Sequence, residues 1–530
     1  MRVQNTGIKV ILTGSMLTML VCMIGTAAAE DSTPLSLKMV PVPQPTGGDI
    51  IDQDAAVRLG KALFWDMQTG GDGMIACATC HFHAGADNRL KNTLNPGNNG
   101  IFESGGVTGP GQMFNGSSIT TDDRVGSQGI VGKIFKEISA DPENPADVCD
   151  PDQTMPFFGH RRVTGRNAPT VIGAVFNRDN FWDGRANHNF NGGDPFGATA
   201  NAGDAVGNLI GNSSLASQAD GPPNNPTEMS CANRPFNGVN SLAAKLLARP
   251  ALQYQYVDPT DSALGMLSAW PAPGLQCGDD HAGMHPCMYT DLIEVAFGSG
   301  IDADNQFSRI WGQAIQAYEA TLIPDQTPMD NYLAGDRKAL TSSQQRGLDV
   351  FNSGKSKCST CHAGAEMTDA SLSFAAQNGL INEDGGDQGF HNNGVRPTAE
   401  DLGRAGTGPN NVSFSKSRSP KDRGAFKTSS LRNVKLTAPY FHNGGIATLA
   451  EVVEFYNRGG DFANPEKAKR IKPLSLSARD KAALVDFLTN GLTDRRVEKE
   501  CAPFDHPSLA VPNGDDLSAV GAAGQHGSCP

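Results

Sequence analysis

The sequence is organised around Cys77-Ala78-Thr79-Cys80-His81, in which two cysteines separated by two residues precede a histidine. The same pattern recurs at Cys358-Ser359-Thr360-Cys361-His362. CxxCH is the attachment signature of c-type haem, because each thiol forms a thioether with a porphyrin vinyl group and the histidine becomes the proximal iron ligand. A disulfide, a zinc half-site or a thioredoxin-like dithiol could account for a single copy. Two copies favour two covalently bound haem c groups, with His81 and His362 as proximal ligands.

The first 29 residues have the features of a targeting segment. Arg2 and Lys9 give the N-terminus a positive charge, and an apolar run follows over 10–24. Ala27-Ala28-Ala29 then forms a small-residue cleavage site. The apolar run is too short for a comfortable membrane span, and no later stretch is long and apolar enough to cross a bilayer. We therefore expect a signal peptide over 1–29 and a protein of the bacterial periplasm or cell surface.

Composition narrows the classes of partner. The formal net charge is -13, and removal of the targeting segment leaves about -15 because that segment carries two basic and no acidic residues. An acidic protein is a poor partner for nucleic acid or an anionic membrane, but it tolerates a basic redox protein. The 61 glycines and 33 prolines exceed the average for globular proteins, which predicts long irregular loops.

The eleven cysteines divide into three groups. One lies in the targeting segment and four lie in the CxxCH motifs, which leaves Cys149, Cys231, Cys277, Cys287, Cys501 and Cys529. An even number in an oxidising compartment indicates disulfides. The sequence alone does not fix the pairing, but Cys277 with Cys287 and Cys501 with Cys529 would close the most local loops.

The pattern around the CxxCH motifs predicts two similar modules. Apolar residues indicate a helix over 54–67, immediately before the first motif, and another over about 342–351, before the second. A cytochrome c fold requires such a helix, because it packs against the haem edge. A capping box at Thr448 and Glu451 starts a further helix, which carries Tyr456 on its apolar face.

Two segments interrupt the first module. Residues 84–155 and 186–215 are rich in glycine, asparagine and polar residues without clear periodicity, and such long loops are often functional. We expect a mainly α protein with two cytochrome c-like haem domains and long irregular loops. Their boundaries are 30–328 for the N-terminal domain with the peroxidatic haem, 329–500 for the C-terminal domain with the electron-transfer haem, and 501–530 for a loosely attached tail.

Further motifs stand in a fixed order along the chain: LGKALFWD before CATCH, then RNAPTVIGAVFN, FWDGRA, QADGPPNNPTEM, KTSSLRNV, LTAPYFHNGG and EVVEFY. With these motifs the sequence resembles the diheme cytochrome c peroxidase/MauG family. The resemblance covers about residues 54–82, 160–186, 216–340 and 342–492, and it leaves both insertions and the tail unmatched.

The resemblance implies roles for four residues near the first haem. Trp182 matches the tryptophan that passes electrons between the haems, a task that suits an indole because its radical cation is accessible. Glu228 matches the distal carboxylate that moves a proton between the oxygens of bound peroxide. Gln218 and Pro222 match neighbours that line the same pocket. The alternatives are a packed core tryptophan and an ordinary helix-start glutamate.

The resemblance also implies a ligand for the second iron and a candidate ligand for the first. Tyr456 occupies a position that is methionine in reductively activated peroxidases and tyrosine in MauG-like proteins. A phenolate stabilises oxidised iron, so the sequence resembles the MauG-like branch; the alternative is a core tyrosine. His160 follows a glycine shortly before the RNAPT motif, where the family has a removable distal histidine, but the spacing is unusual and a surface histidine is an equal alternative.

Three positions match the inter-domain calcium site of the family, namely Asn167, Thr437 and Pro439. Each offers an oxygen atom, and water molecules would complete the shell of a hard cation such as Ca²⁺.

The resemblance implies a periplasmic peroxidase-like oxidoreductase that reduces hydrogen peroxide at haem 1. Electrons would be supplied by a small redox protein, a cytochrome c or cupredoxin, and relayed through haem 2 and Trp182. Three alternatives remain open: a MauG-like oxidase that modifies a protein partner or organic substrate through a high-valent diheme state, a dioxygen-using enzyme like the rubber oxygenases, and a non-enzymatic electron-transfer cytochrome. Glu228 favours peroxide chemistry over dioxygen cleavage, and a plain electron carrier predicts no reaction with peroxide.

Overall fold

Helices make up most of the regular structure in the computed structural model, which describes residues 36–197, 205–278, 283–378, 387–525 and 529–530. The signal peptide expected over 1–29 lies outside the described residues. The helices are α1 (Gln53–Trp65), α2 (Ala78–His81), α3 (Ser214–Ala219), α4 (Leu242–Leu247), α5 (Tyr289–Phe297), α6 (Phe307–Glu319), α7 (Pro328–Leu333), α8 (Ser342–Asn352), α9 (Leu372–Gln377), α10 (Leu449–Arg458), α11 (Ala478–Asp486) and α12 (Arg495–Glu498). In the described part of the chain, no helix combines the length and the apolar character that a membrane crossing requires.

The strands are short and form two-stranded antiparallel pairs. They are β1 (Leu94–Asn95), β2 (Arg124–Val125), β3 (Gln128–Val131), β4 (Lys133–Glu137), β5 (Val148–Pro151), β6 (Arg161–Val163), β7 (Gln276–Cys277), β8 (His285–Pro286), β9 (Phe390–His391), β10 (Phe426–Lys427), β11 (Leu509–Asn513) and β12 (Asp516–Val520). The pairs are β1 with β2, β3 with β6, β4 with β5, β7 with β8, β9 with β10 and β11 with β12. The expectation of a mainly α fold with irregular loops is confirmed.

The helices that precede the two CxxCH motifs begin at side-chain caps. The Asp52 side chain accepts a hydrogen bond from the backbone N–H of Ala55 and starts α1. Thr341 and Gln344 form a reciprocal capping box at the start of α8. Both predicted helices are confirmed, and α1 packs against α5 and α6.

Two large clusters of buried apolar side chains follow the chain order. The first combines residues from 55–322 with Val497, Phe504, Leu509 and Val511, and the second combines residues from 329–492. The domain boundaries expected at residues 328 and 500 stay a prediction. The residues from Pro34 onward form one compact unit.

The 84–155 insertion contains β1–β5 rather than a structureless loop. Strands of two to five residues are too short for an alternating pattern to stand out in the sequence. The insertion also contacts the C-terminal half of the chain, since the N–H of Ile119 donates to the Gly445 carbonyl at 2.8 Å and the N–H of Val125 donates to the Asn443 carbonyl at 2.9 Å.

The expectation of a loosely attached tail is wrong. Asp505 lies 2.6 Å from the buried Lys61 ammonium of α1, and the His506 ring stacks on Trp65 with centroids 4.4 Å apart. The β11–β12 hairpin buries Leu509 and Val511 in the first cluster. The tail is held by an ion pair and by two buried apolar side chains spread over thirty residues. Contacts this scattered give no periodic apolar pattern in the sequence, so the sequence did not predict the packing.

The six remaining cysteines form three disulfides. Cys277–Cys287 and Cys501–Cys529 confirm the two local pairs, and Cys149 pairs with Cys231 across 82 residues. The four cysteines of the CxxCH motifs stay outside disulfides.

Candidate functional site

The first CxxCH motif opens into a cavity of about 880 Å³. The cavity brings together the residues that the sequence assigned to the first haem: Cys77, Cys80, His81, Trp182, Gln218, Pro222 and Glu228. These residues come from α2 and its N-cap Cys77, from the loop after Phe176, and from α3, which carries Gln218, and the segment that follows it. A cofactor-sized space thus lies between the attachment motif and the proposed distal residues.

The second CxxCH motif opens into a cavity of its own. Its walls include Cys358, Cys361, His362 and Tyr456, together with the three proposed calcium ligands Asn167, Thr437 and Pro439. Tyr456 lies on α10, which begins at the Thr448–Glu451 capping box and ends at Gly459, a residue with φ of 89°. Burial raises the pKa of the Tyr456 phenol above its usual range, and a hydrogen bond with the Asn393 side chain opposes this effect.

Both histidines are oriented in the way that a proximal ligand requires. His81 Nδ1 lies 2.7 Å from the Gly85 carbonyl, and His362 Nδ1 lies 3.1 Å from the Ser429 carbonyl. A ring that donates from Nδ1 to a carbonyl leaves Nε2 as the ligand atom. Burial lowers the pKa of both imidazoles, which favours the neutral form that binds iron.

The turn that holds His81 depends on a glycine. Gly85 has φ of 73°, and a Cβ at this position would lie 2.6 Å from the Thr170 hydroxyl oxygen. Glycine allows the left-handed conformation and the close approach of Thr170 at the same time.

The donor set fits covalent haem at both motifs. Each motif provides two thiols outside disulfides and a histidine whose Nδ1 is already engaged, and each lines a cavity. Cys77, Cys80 and His81 would hold one haem, and Cys358, Cys361 and His362 would hold the other.

Glu228 is fixed by its neighbours on the 84–155 insertion. The N–H of Ile130, on β3, donates to the Thr227 carbonyl at 3.3 Å, and a Cβ at Gly129 would clash with the backbone of Thr227 and Glu228. The Cys149–Cys231 disulfide ties β5 to the chain three residues after Glu228. Desolvation raises the pKa of the Glu228 carboxyl, and the Arg185 charge partly offsets this effect.

Trp182 lines both cavities. Its indole N–H donates to the Asn167 carbonyl at 2.8 Å, and its own carbonyl accepts from the backbone N–H of Lys427 at 2.8 Å. The ring also meets the buried His442 ring edge-on, with centroids 6.4 Å apart. Trp182 is therefore a wall residue between the two motifs, held at both its side chain and its backbone.

His160 is not brought to either motif. It follows a turn in which its N–H donates to the Phe157 carbonyl, and its ring lies beside Gly111 of the insertion. It does not belong to the described lining of either cavity. The proposed ligation of the first iron by His160 gains no support from this position.

Sequence reasoning missed an ion-pair network on the wall of the first cavity. Arg166 lies 2.6 Å from Asp183 and 2.7 Å from Asp401, and Arg185 lies 2.9 Å from Asp183. The arginines hold the pKa of both aspartates below the usual range despite burial. The charged residues of the RNAPT and FWDGR motifs could have suggested an ion pair. Asp401 could not have been found in this way, because it lies far along the chain in a segment without a motif.

Comparison with known proteins gives a family and several relatives. Residues 54–265 match the family model described as di-haem cytochrome c peroxidase. The chain is 34% identical over 214 residues to cytochrome-c peroxidase IdrP1 of Pseudomonas sp. (strain SCT), a match that covers 38% of this chain and 52% of the relative. It is 26% identical over 425 residues to cytochrome c peroxidase Ccp of Escherichia coli (strain K12), covering 79% and 55%.

A MauG protein is also among the relatives. The chain is 30% identical over 200 residues to methylamine utilization protein MauG of Methylorubrum extorquens, covering 38% of this chain and 48% of the relative. A solved MauG-like protein associated with microbial copper homeostasis aligns with a TM-score of 0.49 at 22% identity, covering 89% of this chain and 96% of that one. The chain spans about half the length of the first curated relatives it matches. By its family-model match over residues 54–265 and by its relatives, the chain is similar to the diheme cytochrome c peroxidase/MauG family, a similarity that implies haem c as cofactor.

Proposed function

We propose that this protein is a periplasmic peroxidase that reduces hydrogen peroxide to two water molecules with two electrons and two protons. Peroxide would bind in the first cavity, and electrons would arrive from the second cavity through Trp182. The position of Trp182 on the wall of both cavities is the observation that carries the proposal. The bound haems would supply peroxide binding and electron storage.

The residues of the first cavity suit a proton transfer. Glu228 offers a carboxyl that can accept a proton from one peroxide oxygen and return it to the other, the task of a general acid–base group. Gln218 and Pro222 shape the same cavity, and Gln218 adds an amide that can orient peroxide by hydrogen bonding. The cavity wall therefore provides the proton carrier that the reaction requires.

Trp182 suits electron transfer because of its hydrogen bond. The indole N–H donates to the Asn167 carbonyl, which stabilises a positive charge on the ring while the proton stays on the nitrogen. The Asn167 side chain, Thr437 and Pro439 would bind Ca²⁺ next to this contact, as hard oxygen ligands do. A calcium ion there would fix the position of Trp182 relative to the second cavity.

The electron donor would be a small, basic redox protein, a cytochrome c or a cupredoxin. The net charge of -13 favours association with a cationic partner at low ionic strength. No nucleic acid or membrane span is part of the proposal.

Trp182→Phe tests the proposal in steady-state peroxide reduction with a reduced cytochrome c as donor. We expect both haem spectra to stay nearly intact and turnover to fall sharply, because phenylalanine gives up an electron far less readily than indole. Trp270→Phe is the matched control, since Trp270 is 54% exposed and lies outside the described linings of both cavities. Wild-type turnover in Trp182→Phe would reduce Trp182 to a packing residue.

Tyr456 favours a second candidate, a MauG-like oxidase that acts on a protein partner or an organic substrate. The phenol lines the cavity of the second CxxCH motif, as a ligand of that iron must. A phenolate ligand would lower the potential of the second haem and remove the need for reductive activation. The two candidates share both cavities and differ in what supplies the electrons.

Tyr456→Phe separates the two branches. We expect the oxidised wild-type protein to react directly with peroxide, and the variant to lose this reaction and to change the ligand-sensitive spectrum of the second haem. Tyr440→Phe is the control, because Tyr440 lines the same cavity. An unchanged spectrum in Tyr456→Phe would remove Tyr456 as a ligand and place the enzyme with the peroxidases that need prior reduction.

A further inference from the structure

Lys427 is a buried cation on the wall that the two cavities share. It lies on β10, opposite Phe390 of β9, and its backbone N–H holds the Trp182 carbonyl at 2.8 Å. Its side chain is 8% exposed and lines both cavities. Like Trp182, Lys427 therefore faces the spaces that belong to both CxxCH motifs.

The Lys427 ammonium has no partner in the described part of the chain. No hydrogen bond or ion pair joins Nζ to another described residue. Burial lowers the pKa of Lys427 to about 8, and the Asp179 charge acts on it only from a distance. Asp179 itself is held by Arg404 at 3.2 Å and by His188 at 3.0 Å. A buried ammonium without a counter-ion is costly, so the Lys427 side chain favours an anionic ligand.

The cavity wall cannot supply this anion. Asp183, Asp401 and Glu400 are already engaged by arginines at 2.6–2.9 Å. Glu228 and Glu319 form no hydrogen bond or ion pair with Lys427 in the described part of the chain, and burial raises the pKa of both carboxyls. The anionic groups that remain are those that a ligand of the cavities brings, and a haem brings its two propionate carboxylates.

We propose that the Lys427 ammonium binds a haem propionate where the two cavities meet, and thereby raises the reduction potential of that haem. A fixed positive charge close to a haem favours the reduced form, which carries one more electron. Since the Lys427 backbone also binds the Trp182 carbonyl, the contact between Lys427 and the propionate would link the position of the haem to that of Trp182, the proposed electron relay. This inference rests on the two haems of the proposed function, but it does not require peroxide turnover.

The test compares Lys427→Gln with wild type after intact mass has shown two haems in each protein. We expect a lower midpoint potential for at least one haem of Lys427→Gln in a spectroelectrochemical titration at pH 7. Lys427→Arg keeps the charge and should retain most of the wild-type potential. Lys435→Gln removes the same charge from an exposed pair with Glu498 and should leave both potentials unchanged.

Resonance Raman spectra supply a readout that reports the contact directly. The bending modes of the haem propionates respond to hydrogen bonding, so they should shift in Lys427→Gln and, to a lesser degree, in Lys427→Arg, because a guanidinium donates differently from an ammonium. They should not shift in Lys435→Gln. Wild-type propionate modes and wild-type potentials in both Lys427 variants would overturn the proposal, whether or not the protein reduces peroxide.

Discussion

The carboxyl of Glu228 carries the chemistry proposed for the first cavity. It sits in the NPTEM motif, half-buried in the cavity wall and facing the same space as His81. Desolvation raises its pKa, and Arg185 limits the rise. A carboxyl in such a setting stays protonated to a higher pH than one in water, which suits a group that must both accept and return a proton.

Glu228→Gln should lower peroxide turnover by about 10²–10⁴-fold, the contribution typical of a positioned general acid–base group. The ionised form accepts the first proton, so wild-type turnover should fall as the pH drops through the raised pKa, and this acidic limb should vanish in the variant. Steady-state rates across pH are the measurement. Glu454→Gln, at a surface pair with Lys481, is the control. A variant with wild-type rates and an unchanged acidic limb would contradict the assignment.

The positions of residues on the two cavities could be predicted where a motif carried them, and their roles stay a prediction. The CxxCH cysteines, Trp182, Glu228 and Tyr456 were assigned from short stretches, and each lies on the expected cavity. Lys427 was part of a recognised motif, but a lysine beside threonine and serines gives no sign that its side chain is buried. His160 is the opposite case. Its position shortly before the RNAPT motif suggested a haem ligand, but the residue lies outside the described linings of both cavities.

Among the elements, β3 and β5 connect the 84–155 insertion to the segment that carries Glu228. β3 packs against the Thr227–Glu228 backbone, and β5 is joined to the chain just after Glu228 by the Cys149–Cys231 disulfide. The insertion thus supports the distal wall of the first cavity from outside. It also contributes Arg124 and Ser127 to the lining of that cavity.

Replacement of both Cys149 and Cys231 by serine should destabilise the protein by about 2–5 kcal/mol and also lower peroxide turnover. The second effect is expected because Glu228 loses the tie to β5 that fixes its segment. Thermal unfolding and steady-state kinetics are the measurements. The matched double variant at Cys277 and Cys287 should lose stability with little change in turnover, since that disulfide closes the β7–β8 hairpin. Equal loss of turnover in both double variants would argue for a general loss of structure.

Elements with a cap or an apolar stripe were predictable, and short strands were not. α1, α8 and α10 begin at side-chain caps. The ends of α1 and α8 lie within two residues of the predicted ends, and α10 begins at the predicted capping box. β1–β5 carry too few residues for a period of two to emerge. The third disulfide joins residues 82 apart, and only the folded chain brings them together.

On the scale of the whole molecule, the two cavities meet at one shared wall. Trp182 and Lys427 belong to that wall, one as the proposed electron relay and the other as the proposed anchor of a haem carboxylate. Hydrogen bonds link Asn167 to Trp182 and Trp182 to Lys427 along this wall. We therefore propose that the two CxxCH motifs are parts of one reaction centre rather than two independent cytochromes.

The most direct test of this central claim is to titrate the oxidised protein with hydrogen peroxide and to follow the absorbance and EPR signals of both haems. We expect peroxide to change the signals of both haems together in wild type and in Trp270→Phe. In Trp182→Phe, only the haem at His81 should respond promptly. If the haem at His362 responds equally fast in Trp182→Phe, or if it never responds in wild type, the two sites do not act through Trp182 and the claim fails.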